Sequence, residues 1–375
     1  MATKLLNNRT KELFWSLIII EALSFWLWNI PSLANIFFLI LIAGALIISF
    51  YRLEWGIYII LTELFIGSQG HIIDFHINGY NLSLRIGLFV MVFIAMLYHA
   101  YKKRDLQLFK FLDKKWLILF GVLVIFGIVQ GIINNGFVNT YFDANGYLYL
   151  LLWPAFILIF NSNFLLNIFR ILLVCINWLA LKTYLILFAF AHGISWLDLD
   201  LIYRWIRDQR FGEITYVSNN FYRIFIQSQV YAAVGLIIIL LFIYFKTKAK
   251  IQIKDQWYLY LTLFTSTAIV LASFSRSYWV GVLGTLLILS IIFLYQKLLN
   301  WKAYLKTISI FVLGLILSIV FLFTWTGSWQ TTDLSDRALN INDSALSSRQ
   351  AQLKPLSLSI GQNPYFGYGF GKEIS

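Results

Sequence analysis

One cysteine, four prolines and four histidines in 375 residues leave several kinds of chemistry without their parts. Cys175 has no second cysteine with which to close a disulfide within the chain. It lies in an apolar run, where a thiol behaves as a small core residue. His71, His76, His99 and His192 form no close ligand set in sequence, so no metal site is expected. Walker loops, dinucleotide fingerprints and Gly-x-Ser-x-Gly elbows are missing as well. Pro31, Pro154, Pro355 and Pro364 do not recur at corresponding places in two halves, which argues against the paired broken helices of an inverted-repeat transporter. Charge is scarce: 12% of residues, against roughly a quarter in soluble domains.

Apolar residues are abundant instead, at 60%, with a mean hydropathy of +0.77. The apolar runs are long and continuous rather than short and alternating, which excludes a β-barrel and favours helices whose backbone groups are satisfied internally. Eleven candidate spans fall near 14–30, 32–50, 54–68, 85–101, 116–133, 147–160, 168–191, 225–245, 257–273, 279–295 and 305–325. The fold class expected is an all-α, polytopic membrane helical bundle over 1–325, with an outer loop at 192–224 and a second at 326–375. No small-residue cleavage site follows the first apolar run, so it reads as an uncleaved helix. The 14 Trp and 21 Tyr suit a chain with many membrane–water interfaces.

With the N-terminus inside, the inner side carries 14 Lys and 4 Arg, the outer side 8 Arg and 2 Lys, and Lys182 lies within a span. The positive-inside rule therefore supports a cytoplasmic N-terminus. The net charge of +12 reads as topology plus anion binding rather than nucleic-acid binding, because no soluble basic domain is present. Lysine suffices for orientation. Arginine adds a planar fork that grips phosphate or carboxylate through two bonds, so an outer surface rich in it points to a bound anion. The competing expectation is that each outer Arg pairs with an outer carboxylate such as Asp200 or Asp208. Glu21, Glu63 and Lys182 are charges inside spans, and pairing within the bundle is the expected way to hold them. In the loop 192–224, Trp196, Leu199, Ile202, Trp205 and Ile206 recur at helical spacing with Asp200, Arg204 and Arg207 on another face, which predicts a short amphipathic helix.

Three arginine motifs stand out. Tyr222-Arg223 is expected at the mouth of the eighth span, Ser275-Arg276-Ser277 in a very short outer turn, and Arg349 in the last loop ahead of Asn363-Pro-Tyr-Phe-Gly367-Tyr-Gly369-Phe-Gly371. A guanidinium in a tight turn at membrane depth is a functional candidate by default, with snorkelling to the interface as the plainer account. Glycines at 367, 369 and 371 fit either a phosphate-cradling loop or a turn into a further span.

In this order and outer placement the motifs resemble the O-antigen ligase/polymerase superfamily, most clearly over about 219–371. That resemblance implies a GT-C-like fold of about twelve spans in the bacterial inner membrane. It also implies a metal-independent, inverting glycosyltransferase with no cofactor. The donor would be a glycan on polyprenyl diphosphate and the acceptor another glycan or lipid A core. It would make Arg223 and Arg276 diphosphate ligands and have Arg349 complete the pocket, with Tyr222, Ser275, Ser277, Arg210, Asn363, Gly367 and Gly369 contacting substrate. The family places a His-Asn pair soon after the glycine-rich segment. None follows here before Ser375, so the expectation is a sequence continuing beyond it, or else an inactive protein, or Asp336, Asp343 or His192 as base. A transporter or flippase for a lipid-linked or anionic solute is the alternative expectation.

Overall fold

A computed structural model describes residues 3–77, 80–103, 115–218, 221–327 and 344–373. The chain divides into two units, each assembled from separated stretches: unit 1 holds 1–45, 55–88 and 162–338, and unit 2 holds 46–54, 89–161 and 339–375. Helices dominate both. They are α1 (Asn8–Leu27), α2 (Pro31–Tyr51), α3 (Leu53–Ile66), α4 (Leu84–Lys103), α5 (Lys115–Asn135), α6 (Phe137–Ala144) and α7 (Trp153–Ile159). The series continues with α8 (Ser162–His192), α9 (Leu199–Asp208), α10 (Gln229–Lys248), α11 (Gln256–Ala272), α12 (Arg276–Tyr295), α13 (Trp301–Thr326) and α14 (Ser344–Gln362).

Among the described residues, eight stretches are long and apolar enough to cross a bilayer: α2, α4, α5, Phe137–Ile159, α8, α10, α12 and α13. The stretch Phe137–Ile159 is not one smooth helix. It joins α6 to α7 through a 3-10 helix over Asn145–Leu152, and so begins ten residues before the sequence pattern placed it. Helices α5 and α12 bury little, Gly131 and Val282 respectively, and turn residues such as Ile125 (62% exposed) and Leu283 (61% exposed) outward. Apolar faces of that extent on a water-soluble protein would drive association. Lipid is the solvent that accepts them.

In unit 1, α8 is central and packs on α1, α10, α11, α13 and a β-hairpin. Small and hydroxylated residues make the contacts close. Asn177 on α8 donates to Thr262 Oγ1 at 2.7 Å and accepts from Thr265 Oγ1 at 3.1 Å, Tyr184 donates to the Thr265 carbonyl, and Ser318 on α13 donates to the Phe264 carbonyl. Between apolar helices in lipid, packing and such hydrogen bonds are what hold one helix against another.

Three two-stranded sheets depart from the purely helical expectation. Strand β1 (Thr3–Lys4) pairs in parallel with β6 (Ile253–Lys254), β2 (Asp74–Ile77) pairs antiparallel with β3 (Tyr80–Ser83), and β4 (Gly212–Ser218) pairs antiparallel with β5 (Phe221–Ile226). The β1–β6 pair draws the N-terminus to the α10–α11 connection. Arg170 donates to the Lys4 carbonyl at 2.6 Å, and Lys248 and Tyr244 both donate to the Leu298 carbonyl. These contacts gather the lysine-bearing loops of unit 1 at one end. At the other end, Ser68 donates to the Phe211 carbonyl, Ser24 to the Ile72 carbonyl, and His192 meets the Trp325 carbonyl.

Candidate functional site

The arginine-rich end of unit 1 is built on the β4–β5 hairpin. Phe221-Tyr222-Arg223-Ile224-Phe225-Ile226 is aromatic and β-branched, the composition that fits a pleated, half-buried surface. The expectation that Arg223 opens the eighth span is therefore corrected: Arg223 lies on a strand opposite Thr215, and α10 starts only at Gln229. In a strand successive side chains alternate faces. On one face, Phe221 packs on Phe274 (centroids 4.9 Å apart), Arg223 donates through Nε to the Ser273 carbonyl at 2.9 Å, and Phe225 stacks on Tyr278. On the other, Tyr222 meets Phe190 of α8, while Ile224 and Ile226 are fully buried. The strand thus lies along the α11–α12 turn, and Tyr222-Arg223 comes together with Ser275-Arg276-Ser277.

That turn is held in an unusual shape. Phe274 has φ +48°, a left-handed conformation that costs a side-chain-bearing residue about 1–3 kcal/mol and persists where its surroundings enforce it. Its ring is fixed by Phe221 and Trp279, and the Trp279 indole donates to the Val270 carbonyl at 3.1 Å. The Ser275 amide donates to Ser273 Oγ, and the Ser275 and Ser277 hydroxyls lie 2.8 Å apart. Arg276 then occupies the first position of α12, half-buried. A cation there opposes the helix dipole, whose N-terminus is already positive. Two guanidinium-bearing segments and a helix N-terminus make this end a place where an anion is favoured.

Beneath the hairpin lies a buried polar support. Lys182 on α8 forms an ion pair with Glu21 on α1, which also accepts from the Trp178 indole at 3.1 Å. The Lys182 ammonium sits 3.7 Å from the Phe211 ring centroid and 4.8 Å from that of Trp205, within cation–π range. Trp205 belongs to α9 and Phe211 immediately precedes β4, so this one lysine ties α8 to both. Gln229, fully buried, accepts from the Ile226 amide and donates to the Ile224 carbonyl and to Thr183 Oγ1. Gly212 pairs with Ile226, and a Cβ there would collide with the Phe225 carbonyl.

The expected amphipathic helix is α9, with Trp205 and Ile206 buried and Arg204 paired to Asp200 on its exposed face, although Trp196 precedes it and is 80% exposed. Among the described residues, Arg85 grips Glu63 through two bonds of 2.8 and 3.2 Å, Arg204 meets Asp200, and Arg207 meets Asp208. Arg210 is exposed at the α9–β4 connection with φ +52°.

No protein-family model, curated protein or solved structure matches this chain.

The remaining expected site residues belong to unit 2. Arg349 lies on α14, its side chain outside the described residues. Asn363 is exposed and its carbonyl accepts from the Gly367 amide at 3.1 Å. The glycine-rich segment docks on α5 and α6: Gln130, Asn134, Asn135 and Thr140 donate to its carbonyls. The Phe370 amide donates to the Gly127 carbonyl and the Gly371 amide to Asp143 at 2.7 Å. Gly367, Gly369 and Gly371 all have positive φ, and a Cβ on Gly369 would strike the Gly131 backbone. With the Gly367, Phe370 and Gly371 amides engaged in this way, the segment reads as a docked strap more than as an anion cradle.

Of the three residues expected as base, Asp336 and Asp343 lie outside the described residues. His192 ends α8 at the arginine-rich end, with Nε2 3.0 Å from the Trp325 carbonyl. A carbonyl only accepts, so the neutral ring carries its hydrogen on Nε2 and its lone pair on Nδ1, the form a general base needs. Gln229, Trp178 and Phe211, which support the site from beneath, were not among the expected residues.

Proposed function

We propose that this protein is a multi-pass glycosyltransferase of the bacterial inner membrane that crosses the bilayer eleven times. Its lysine-rich end faces the cytoplasm. At its outer face it polymerises or ligates glycans from a polyprenyl-diphosphate-linked donor, in the manner of the O-antigen ligase/polymerase superfamily. The observation that carries the reading is the 2.9 Å bond from Arg223 Nε to the Ser273 carbonyl, which joins two motifs fifty residues apart into one cationic corner.

In the reaction, the acceptor hydroxyl oxygen forms a bond to the anomeric carbon as the bond from that carbon to the diphosphate oxygen breaks. The electron pair leaves with the diphosphate, whose growing negative charge Arg223 and Arg276 stabilise, and attack from the opposite face inverts the configuration. Guanidinium groups suit this task because they stay charged and fork onto phosphate oxygens without a metal. The hydroxyl proton passes to a base, a role for which His192 has the required tautomer.

Arg223→Gln and Arg276→Gln test the proposal in cells carrying the lipid-linked repeat unit. The expected result is normal abundance and insertion with glycan transfer lowered about 10²–10³-fold, the range for removing one charge-stabilising donor. Full activity in both variants removes the catalytic reading. Accumulation of lipid-linked units on the cytoplasmic face replaces it with transport.

A further inference from the structure

At the lysine-rich end of unit 1, an open pocket of about 620 Å³ lies where the end of α10 passes the start of α8. Phe242, Phe245, Lys246 and Ala249 fall at i, i+3, i+4 and i+7, so they share one face of α10 and its cap, and all four line the pocket. Leu166 of α8 stands on the other side, and Phe169, one turn further along α8, packs on Phe242 with ring centroids 4.8 Å apart. Lys248 and Ile251 complete the rim. The walls are therefore hydrocarbon and aromatic ring, and the polar side chains they carry are two lysines.

Among the described residues, neither lysine pairs with a carboxylate. Strand β1, residues 162–170 and residues 240–254 come together around the pocket and contain six Lys or Arg and no Asp or Glu. Arg170, one turn from Leu166 on the same side of α8, directs its bonds to Asn167 Oδ1 and the Lys4 carbonyl, both neutral. Lys248 gives one of its three N–H groups to the Leu298 carbonyl, which leaves two for a ligand. Lys246 is also close enough to Lys306 of α13 for the two charges to repel. Trp257, 60% exposed and three residues beyond Lys254, marks the depth, because exposed Trp settles at the headgroup level of a bilayer. The lysines thus stand at the level of lipid phosphates, and Phe242, one turn before Lys246, lies deeper in the span.

We propose that this pocket holds an anionic diacyl phospholipid, its phosphate on Lys246 and Lys248 and an acyl chain against Leu166, Phe242 and Phe245. Charge complementarity selects the occupant. A zwitterionic lipid offers the same chains but brings a cation of its own into a field already positive. Basic pockets between spanning helices retain anionic headgroups for that reason. A small free anion would meet the lysines but gain nothing from the apolar wall. The site is independent of the glycosyltransferase reading, since it lies at the other end of unit 1 and uses none of its residues.

Delipidated full-length protein in detergent should retain dioleoyl phosphatidylglycerol, detected by native mass spectrometry, and its melting temperature should rise. Dioleoyl phosphatidylcholine, with identical chains, should do neither. Lys246→Gln with Lys248→Gln should weaken retention by about fivefold per lysine removed, about 25-fold together. Lys297→Gln with Lys302→Gln removes equal charge from the same end but outside the pocket, and should leave retention nearly unchanged. Ala249→Trp, at an exposed position, should fill the pocket and lower retention with every lysine in place. Equal retention of the two lipids overturns the proposal, as does equal loss in the two lysine pairs or full retention in Ala249→Trp. Full competition by glycerol 3-phosphate also overturns it, because the apolar wall would then contribute nothing.

Discussion

At the lysine-rich end of unit 1, cations stand on exposed turns: Lys250, Lys254, Lys297, Lys302 and Lys306 all face outward. At the arginine-rich end, Arg223 lies between a strand and a turn, its Nε fixed by a backbone carbonyl and its guanidinium 4.9 Å from the Phe225 ring centroid. The first arrangement needs only a field, and any mobile cation provides one. The second fixes direction, and it is underlain by a buried ion pair, an aromatic cage and a glutamine that satisfies three backbone or side-chain partners of the hairpin region. Equal formal charge therefore comes with unequal investment in position. Mutations should separate the two ends sharply.

The largest effect is expected beneath the arginine-rich end. Lys182→Met leaves Glu21 buried without its cation, and breaking a buried pair in this way costs about 3–5 kcal/mol. Thermal melting in detergent should show a fall of that size. Glu21→Leu combined with Lys182→Met should recover most of it, since replacing both partners leaves no orphaned charge. A single variant that melts like the parent would mean that the hairpin does not depend on this support.

Next comes the guanidinium itself. Arg223→Lys keeps the charge but loses the fork and the Nε bond to Ser273. Glycan transfer should fall about 10²-fold, equivalent to about 2.7 kcal/mol of transition-state stabilisation. Lys306→Arg, the reciprocal exchange at the other end, should leave transfer unchanged. Equal tolerance of both exchanges would erase the distinction between held and unheld cations.

A smaller loss is expected from Gln229→Leu. Its amide serves the Ile226 amide, the Ile224 carbonyl and Thr183 in a fully buried position. Leaving buried polar groups without partners costs about 1–3 kcal/mol each, and backbone adjustment should hold the total near the lower part of that range. Hydrogen exchange at residues 221–226 is the direct measure: the strand amides should exchange faster while those of α8 do not. If α8 loosens equally, Gln229 supports the bundle rather than the hairpin.

The same contrast explains what could be read from the sequence. Long apolar runs announced the helices, because in lipid a helix must satisfy its own backbone. The Lys182 pair was also foreseeable, since an ammonium in a span needs a partner; that the partner is Glu21 depends on α1 packing against α8. Strand β5 was hidden because Phe221–Ile226 is as apolar as the helix it precedes, and hydropathy does not distinguish a buried strand from a helical end. Gly212 and the cage around Lys182 were hidden for another reason. Their roles arise from approaches between segments far apart in sequence, which no local pattern encodes.

The smallest effect tests whether position, rather than the presence of arginine, marks the site. Arg204 lies on α9 at the same end of unit 1 and pairs with Asp200 one turn away at 3.1 Å. Both side chains are well exposed, at 47% and 75%, so water screens the pair and holding two long side chains together offsets much of the gain. Arg204→Gln should change the melting free energy by less than about 0.5 kcal/mol, as for an exposed pair between helical neighbours. Glycan transfer should be unaffected, in contrast to Arg223→Lys, which removes less charge from the same end. Were Arg204→Gln to reduce transfer as much as Arg223→Lys, a diffuse outer field would account for donor binding, and the fixed corner formed by Arg223 and the Ser275-Arg276-Ser277 turn would lose its special place.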